Sequence, residues 1–447
     1  MDIVSAAQIS GSSLSPSLSV AILAMLVGVF VVAYAAIALE HPLRINKSAS
    51  ALVAAGLLWT IYILSGDPDQ VVRELGASIE VTARIVFFLM AAMTIVEVID
   101  AHDGFEVITR RIRTSNLSSL MWLVCLVTFF LSAILDNLTT TIVMVSLMRR
   151  LLAKHEDRLL FAGMIVIAAN SGGAWSPMGD VTTTMLWIGN QITSTAIIKS
   201  VLLASLVSLI VPLAIAALAV KGRKVVSPGI ADIGDEARAS GSERSMMFFL
   251  GLGILIMVPV FKVVTHLPPF MGILFGLGIL WLAGDVLHRN KGEESRERLT
   301  LGHALSRIDL SSIVFFVGIL LSVAVLEHTH ILTAVAQWLD ESVGRLEVIV
   351  LAIGVASAIV DNVPLVAAAM GMYSMSAYPT DHSLWTFLAY CAGTGGSILV
   401  IGSAAGVAAM GIEKIDFIWY LRKISWLAVI GYLAGAGVYL LQAALLG

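Results

Sequence analysis

The chain has 447 residues, 58% of them hydrophobic and 13% charged, and a mean hydropathy of +0.93. A soluble domain carries about 25% charged residues, so a water-soluble fold is excluded. The net charge of −4 says nothing about partners, because in a membrane protein the side on which charge lies matters more than its sum.

Apolar runs long enough to cross a bilayer core of about 30 Å recur along the whole length, which predicts an all-α polytopic membrane protein. The two cysteines, Cys125 and Cys391, lie in apolar segments and form neither a disulfide framework nor a metal-ligand spacing. The first run, 17–39, follows the segment MDIVSAAQIS, which has one acidic and no basic residue. A cleaved signal would begin with a cationic stretch, so this run is read as a retained first span. Further apolar segments follow at 49–64, 81–101, 117–152, 159–193, 196–220, 246–266, 269–287, 311–328, 346–378, 383–412 and 425–446.

The connections sort by charge. HPLRINK, RRIRTSN, RRLLAKHEDR, KGRK through SER, HRNKGEESRER and EKIDFIWYLRK hold most of the lysine and arginine. SGDPDQVVREL, THLPPF, EHTHILTAVAQWLDESVGR and AYPTDHS hold little. The positive-inside rule puts the first group in the cytoplasm. Segment 117–152 then has arginines at both ends, and a single helix of its length would reach about 54 Å. It is therefore expected to fold back at Asp136–Asn137 as a re-entrant hairpin. Segment 346–378 is expected to do the same from the opposite face, dividing at Asp361–Asn362, with Pro364 near the start of its second arm where a missing N–H costs little. Irregular backbone at membrane depth must be covered by protein or line a cavity, so both tips should point inward.

The two halves repeat. SAILDN at 132–137 returns as SAIVDN at 357–362, IVFF at 85–88 returns at 313–316, and NSGGAWSPMGD at 170–180 aligns with GTGGSILVIGS at 393–403. Each half reads as three spans, a hairpin, a broken span and a final span. Five crossings are an odd number, so the second copy enters upside down, the inverted-repeat plan of secondary transporters whose discontinuous helices meet near the midplane. The expected units are a first repeat over 1–221 (hairpin 117–152, broken helix 159–193), a cytoplasmic linker over 222–245, and a second repeat over 246–447 (hairpin 346–378, broken helix 383–412). Residues 288–309 read as a second charged cytoplasmic loop, and EKIDFIWYLRK as an interfacial amphipathic helix.

Four stretches interrupt the apolar pattern at membrane depth: Asp136–Asn137 with Thr139 to Thr141, Asn170 to Gly173, Asp361–Asn362, and Gly393 to Ser397. The paired glycines are expected to permit unwinding and so free carbonyl oxygens. Carboxylate, amide and hydroxyl oxygens without cysteine or histidine suit a hard cation or a proton. Na+ is assigned to Asp136, Asn137, Asp361 and Asn362. Asp180, ahead of Thr182 to Thr184, and Glu97, inside the third span, add two more acids with no basic residue expected beside them. Unpaired acids at this depth cost about 2.5–3.5 kcal/mol each on insertion scales, so cations or protons should be their partners. Cation and proton would then compete for one carboxylate, which suffices for exchange, with Asp136 and Asp361 as leading carriers and Asp180 as a third. Each aspartate also fits the simpler role of helix N-cap, the threonines that of back-bonding within their helices, and Glu97 a structural hydrogen bond. His41, His102, His155, His288 and His303 fall at cytoplasmic ends and are expected to be solvated.

With these residues in view, the chain resembles the NhaD-type sodium/proton antiporters of the ion transporter superfamily. The resemblance is carried by SAILDNLTTTIVM, AANSGGAWSPMGDVTTTMLW, SAIVDNVPLVAAAMGMY and AYCAGTGGSILVIGSAAGVAAMG. GDVTTTMLW and the DNL and DNV tips set it apart from arsenite and dicarboxylate permeases of that superfamily, the latter carrying Ser-Asn-Thr at the tips. The resemblance implies exchange of Na+ or Li+ for H+ across a bacterial inner membrane, a part in pH homeostasis, and homodimerisation. It also implies a cation path through Asp136, Asn137, Thr139, Asp180, Thr182, Thr183, Ser357, Asn362, Thr394 and Ser397. Besides lipid and the transported ions, neither a cofactor nor a nucleic-acid partner is expected. An oxyanion or carboxylate permease on the same scaffold is the rival reading. Half-helix N-termini at the tips could hold an anion, but two aspartates would repel it, and a basic residue at the site would be the discriminating feature. An intramembrane aspartyl protease is a weaker rival, since Pro177-Met178-Gly179-Asp180 lacks the first glycine of GxGD.

Overall fold

The computed structural model describes residues 18–109, 114–226, 240–289, 299–359 and 361–446. Among them the secondary structure is helical, apart from one isolated bridge between Asn116 and Lys224. Nine helices among the described residues are long and apolar enough to cross a membrane: Val20–Ile37, Lys47–Ser65, Pro68–Ala101, Leu117–Leu135, Ser194–Ala219, Gly241–Thr265, Pro269–His288, Leu310–His328 and Ser425–Leu445. The chain is a multi-pass membrane protein.

Local chemistry sets the helix ends. The Asn46 side chain accepts from Ser48 N at 2.8 Å to open Lys47–Ser65. Asp67 and Pro68 open the next helix, where proline's missing donor is harmless. That helix runs 34 residues, Pro68–Ala101, so it takes in most of SGDPDQVVREL, read from sequence as a loop. A second such loop, EHTHILTAVAQWLDESVGR, contains the amphipathic helix Ile331–Val343. Loop composition concealed both, because neither segment is apolar all round. The expected interfacial segment forms the helix Phe417–Lys423. Of the charged stretch 288–309, Leu301–Arg307 is helical and 290–298 lie outside the described residues. The same holds for 227–239 of the linker, whose end enters the helix Gly241–Thr265.

The four expected interruptions are breaks in the helices. Segment 117–152 is two helices, Leu117–Leu135 and Asn137–Leu151, packed on one another and parted at Asp136, whose φ is +95°. Few residues other than glycine adopt such a backbone. Segment 346–378 holds Leu346–Ala356 and Asn362–Met372. Segment 159–193 divides into His155–Gly173 and Val181–Ile188, and 383–412 into Ser383–Gly395 and Ala404–Glu413. The first glycine pair does not start the unwinding, since Gly172–Gly173 are still helical and the irregular stretch begins at Ala174, whereas in the second pair Gly395 closes its helix and Gly396 is the first residue beyond it.

Those glycines serve close approach. A Cβ on Gly172 would collide with the carbonyl of Phe129, and one on Gly395 with the carbonyl of Gly354. The helices they end are buried on every side from Phe161 to Gly173 and from Leu384 to Gly395, which marks them as the centre of the molecule. The main packing contacts come in matched sets. Leu117–Leu135 lies on His155–Gly173 as Leu346–Ala356 lies on Ser383–Gly395. Lys47–Ser65 lies on Leu310–His328 as Pro269–His288 lies on Pro68–Ala101, and Ser194–Ala219 packs along Ser425–Leu446.

Candidate functional site

The irregular stretches converge on Asp180. This buried carboxylate opens the short helix Val181–Ile188, with Oδ1 accepting from Thr182 N and Thr182 Oγ1, both at 3.0 Å. Thr183 closes the cap from the other side: its Oγ1 accepts from Asp180 N at 3.3 Å and donates to Asp180 O at 2.9 Å. The second carboxylate oxygen faces both helix-pair breaks. Asn137 Nδ2 donates to Asp180 Oδ2 at 2.7 Å, and Asn362 Nδ2 donates to it at 3.2 Å. Two amides that are 225 positions apart in the repeated hexapeptide thus meet on one carboxylate.

Asn170 extends the network across the halves. Its Oδ1 accepts from Asn137 at 3.0 Å, and its Nδ2 donates to Ser397 Oγ at 3.0 Å and Ser403 Oγ at 2.9 Å. Ser403, which aligns with Asp180 in the repeat, caps the helix Ala404–Glu413 through Gly406 N. Sequence reading passed over Ser403. The alignment that matched Asp180 to it was the available signal. Ser132 and Ser357 fill equivalent structural positions, donating to the carbonyls of Ala169 at 2.6 Å and Ala392 at 2.9 Å. Thr394 back-bonds to Tyr390 O at 2.6 Å within its own helix, whereas Thr140 and Thr141 have buried hydroxyls without a protein partner among the described residues.

Asp136 and Asp361 flank this centre in different ways. Asp136 accepts from Thr139 N at 2.8 Å and Thr139 Oγ1 at 3.0 Å, so it is an N-cap as well as a charge. Thr139 in turn lines a cavity of about 340 Å3 between Pro68–Ala101 and Asn137–Leu151, whose wall carries Glu97, Asp100, Arg150 and Arg307. Asp361 instead faces Lys47, whose Nζ is 2.9 Å from Oδ2.

Two expectations are corrected here. The acids were expected to lack basic neighbours, but Lys47 pairs with Asp361, and Arg307 Nε lies 2.8 Å from Glu97 Oε1. Both cations belong to segments distant in sequence, so no local window contained them. Glu97 sits on the cavity wall and, among the described residues, makes no hydrogen bond with the Asp180 network. His102 and His288, expected to be solvated, are buried with their Nε2 atoms 3.2 Å apart and their rings stacked. His155 is exposed beside Glu413, and His303 is half-buried.

The family described as citrate transporter (CitMHS) matches residues 17–393. The chain is 50% identical to "Sodium/proton antiporter 1" of Arabidopsis thaliana over 92% of its own length and 71% of that protein. It is 31% identical to "Na(+)/H(+) antiporter NhaD" of Alkalimonas amylolytica over 93% of this chain and 89% of that one. With the protein of the same name from Vibrio cholerae it shares 29% identity over 92% and 90%.

Proposed function

Because this chain belongs to the NhaD-type sodium/proton antiporters of the ion transporter superfamily, within the citrate-transporter family, we propose that it exchanges Na+, and Li+, for H+ by competition at buried carboxylates. It is a cation/proton exchange transporter, not an enzyme. The observation that carries the mechanism is Asp180, buried and bonded by the asparagines of both breaks. Na+ and a proton cannot both neutralise the same oxygens, so loading one releases the other. Ligand oxygens come from Asp136, Asn137, Asp180 and Asn362, with Asp361 beside them and already paired to Lys47. Thr139, Thr182 and Asn170 orient these groups, as do Ser397 and Ser403.

The two helix pairs are re-entrant hairpins and the halves an inverted repeat, a reading supported by the matched packing contacts and the matched Ser132 and Ser357 bonds. Exchange by alternating access follows from a site reached from one face at a time. The cavity at Thr139 is the approach from the side of the basic loops. A smaller cavity of about 190 Å3, walled by Ser78, Met185, Glu327, His328 and Ala367, is its counterpart on the other side. A homodimer in a bacterial inner membrane, serving pH homeostasis, completes the proposal. Membrane fractionation of the source cells checks that location.

A carboxylate permease would need positive charge at the centre. Lys47 is basic, but Asp361 takes it up, and Asp136 and Asp180 leave the site negative. The test uses everted vesicles with an imposed acid-inside gradient. Na+ or Li+ should collapse the gradient in wild type and fail to do so in Asp136→Asn and Asp180→Asn. A gradient untouched by Na+ at every alkaline pH tried sinks the antiport reading. Gradient-driven citrate uptake by the same vesicles would favour the permease.

A further inference from the structure

We propose that the Lys47 ammonium is a built-in cation for Asp361, and that it reserves the transported cation for the part of the site formed by Asp136 and Asp180. The inference rests on the exchange reading and gives the two repeated aspartates unequal parts. Asp136 and Asp361 hold equivalent places in the hexapeptide, yet their surroundings differ.

Lys47 Nζ lies 2.9 Å from Asp361 Oδ2 and 4.6 Å from the centroid of the Phe315 ring. A carboxylate and an aromatic face thus hold the ammonium, the two kinds of partner that a desolvated cation favours. Its stem is anchored as well. Lys47 is the first residue of its helix, Asn46 caps that helix, and the Lys47 N–H donates to Glu40 Oε1 at 3.2 Å. Phe315 belongs to Leu310–His328, which packs along the lysine's own helix. The cavity bounded by Glu40, Lys47, Asp361 and Ser403 is only about 40 Å3. That is room for about one water beside the ammonium.

Asp136 has no such partner. Among the described residues no lysine or arginine pairs with it, and its carboxylate accepts from Thr139 on the wall of the large cavity. The helix of the second half that corresponds to Lys47–Ser65 begins with Pro269, where no ammonium is available. An ammonium and an alkali cation carry the same charge and seek the same oxygens. While the pair holds, the tethered cation excludes the free one from Asp361. Removing the lysine alone would leave a half-buried carboxylate unpaired, which is costly unless another cation replaces it.

Equilibrium binding of radioactive Na+ to the purified full chain at one alkaline pH tests this, alongside vesicle exchange. Lys47→Gln should bind one Na+ per chain more than wild type. Lys47→Arg should bind the wild-type number, because a guanidinium keeps the pair. The double variant Lys47→Gln/Asp361→Asn should also return to the wild-type number. A lysine with a purely structural role would reduce the yield of folded protein without adding a Na+. An unchanged number in folded Lys47→Gln overturns the proposal. So does loss of a Na+ in the double variant, since Asp361 would then be a ligand of the transported ion. Should Lys47→Gln not fold, a double variant that folds with the wild-type Na+ number supports the pair, because removing both charges then cures the loss of one, and a double variant that also fails to fold or that loses a Na+ overturns the proposal. Failure of wild-type vesicles to exchange Na+ would overturn the antiport reading instead, while the binding difference between wild type and Lys47→Gln would still judge the lysine.

Discussion

Asp136 and Asp180 each do two things at once, and substitutions can separate them. Both cap a helix through backbone N–H groups, and both carry charge at the centre of an apolar chain. Asparagine caps helices about as well as aspartate. Asp136→Asn should therefore keep the fold while abolishing Na+-driven collapse of an imposed proton gradient. Asp136→Ala should lose the cap too, costing about 1 kcal/mol more in thermal stability. If Asp136→Asn exchanged Na+ at the wild-type rate, its charge would have no part in transport. Asn170 offers a second separation, because it touches neither cation nor proton in this scheme and only joins Asn137 to Ser397 and Ser403. Asn170→Ala should weaken Na+ binding, read as a raised half-saturating Na+ concentration, while exchange persists at high Na+. Which residues interrupt the apolar pattern was legible from sequence. That Asp180 and not a tip aspartate is the acceptor for both asparagines was not, since hydrogen-bond partners depend on how the breaks face one another.

The helix breaks depend on approach at glycine as much as on polar residues. Gly172 touches the carbonyl of Phe129 on the first arm of its own half, and Gly395 touches that of Gly354 in the other. Even one methyl group at either point must push a buried helix away from its neighbour. Overpacking of this kind costs about 1–3 kcal/mol. Gly172→Ala and Gly395→Ala should each lower the melting temperature in detergent, and each should impair Na+ binding by displacing the break that follows. Gly76, where a Cβ would meet nothing, is the control expected to tolerate alanine. The sequence pattern located both glycine pairs and suggested unwinding at the pair itself, as found at Gly396 but not at Gly172–Gly173. Helix geometry in a crowded centre explains the difference. A glycine inside a buried helix lets another backbone come close, and the chain leaves the helix only where the following Ala174 to Asp180 stretch finds other partners.

At the scale of the molecule, the halves are tied at their ends by polar latches. The buried Glu413 carboxylate faces Arg158 Nε at 3.1 Å and Arg149 Nε at 3.6 Å, joining the base of the first helix pair to the last broken helix. At the opposite end Asp381 accepts from Thr193 N at 2.6 Å and Thr193 Oγ1 at 2.9 Å. Breaking a buried ion pair by removing one partner costs about 3–5 kcal/mol, and less where the cation is partly exposed as these arginines are. Glu413→Gln should therefore destabilise the protein by about 1–3 kcal/mol in a thermal scan while Na+ binding persists. Competition at a carboxylate also fixes the sign of the pH dependence. Protonation removes the cation's ligand, so the half-saturating Na+ concentration should rise as pH falls. A half-saturating concentration independent of pH would sink the competition model.

The amino-acid sequence by itself determined the membrane class, the segments in which the helices break and the motifs that recur along the chain. Those properties follow from local apolar periodicity, from capping residues and from repeated motifs, all readable within a window of a few turns. The tertiary structure alone decided which charges are paired. Lys47 and Asp361 are 314 residues apart, and Glu97 and Arg307 come from different halves. An ion pair between distant segments exists only once packing brings the segments together, because no local preference encodes it. That pairing separates two aspartates that look the same in the hexapeptide, one held by the protein's own ammonium and one beside an open cavity.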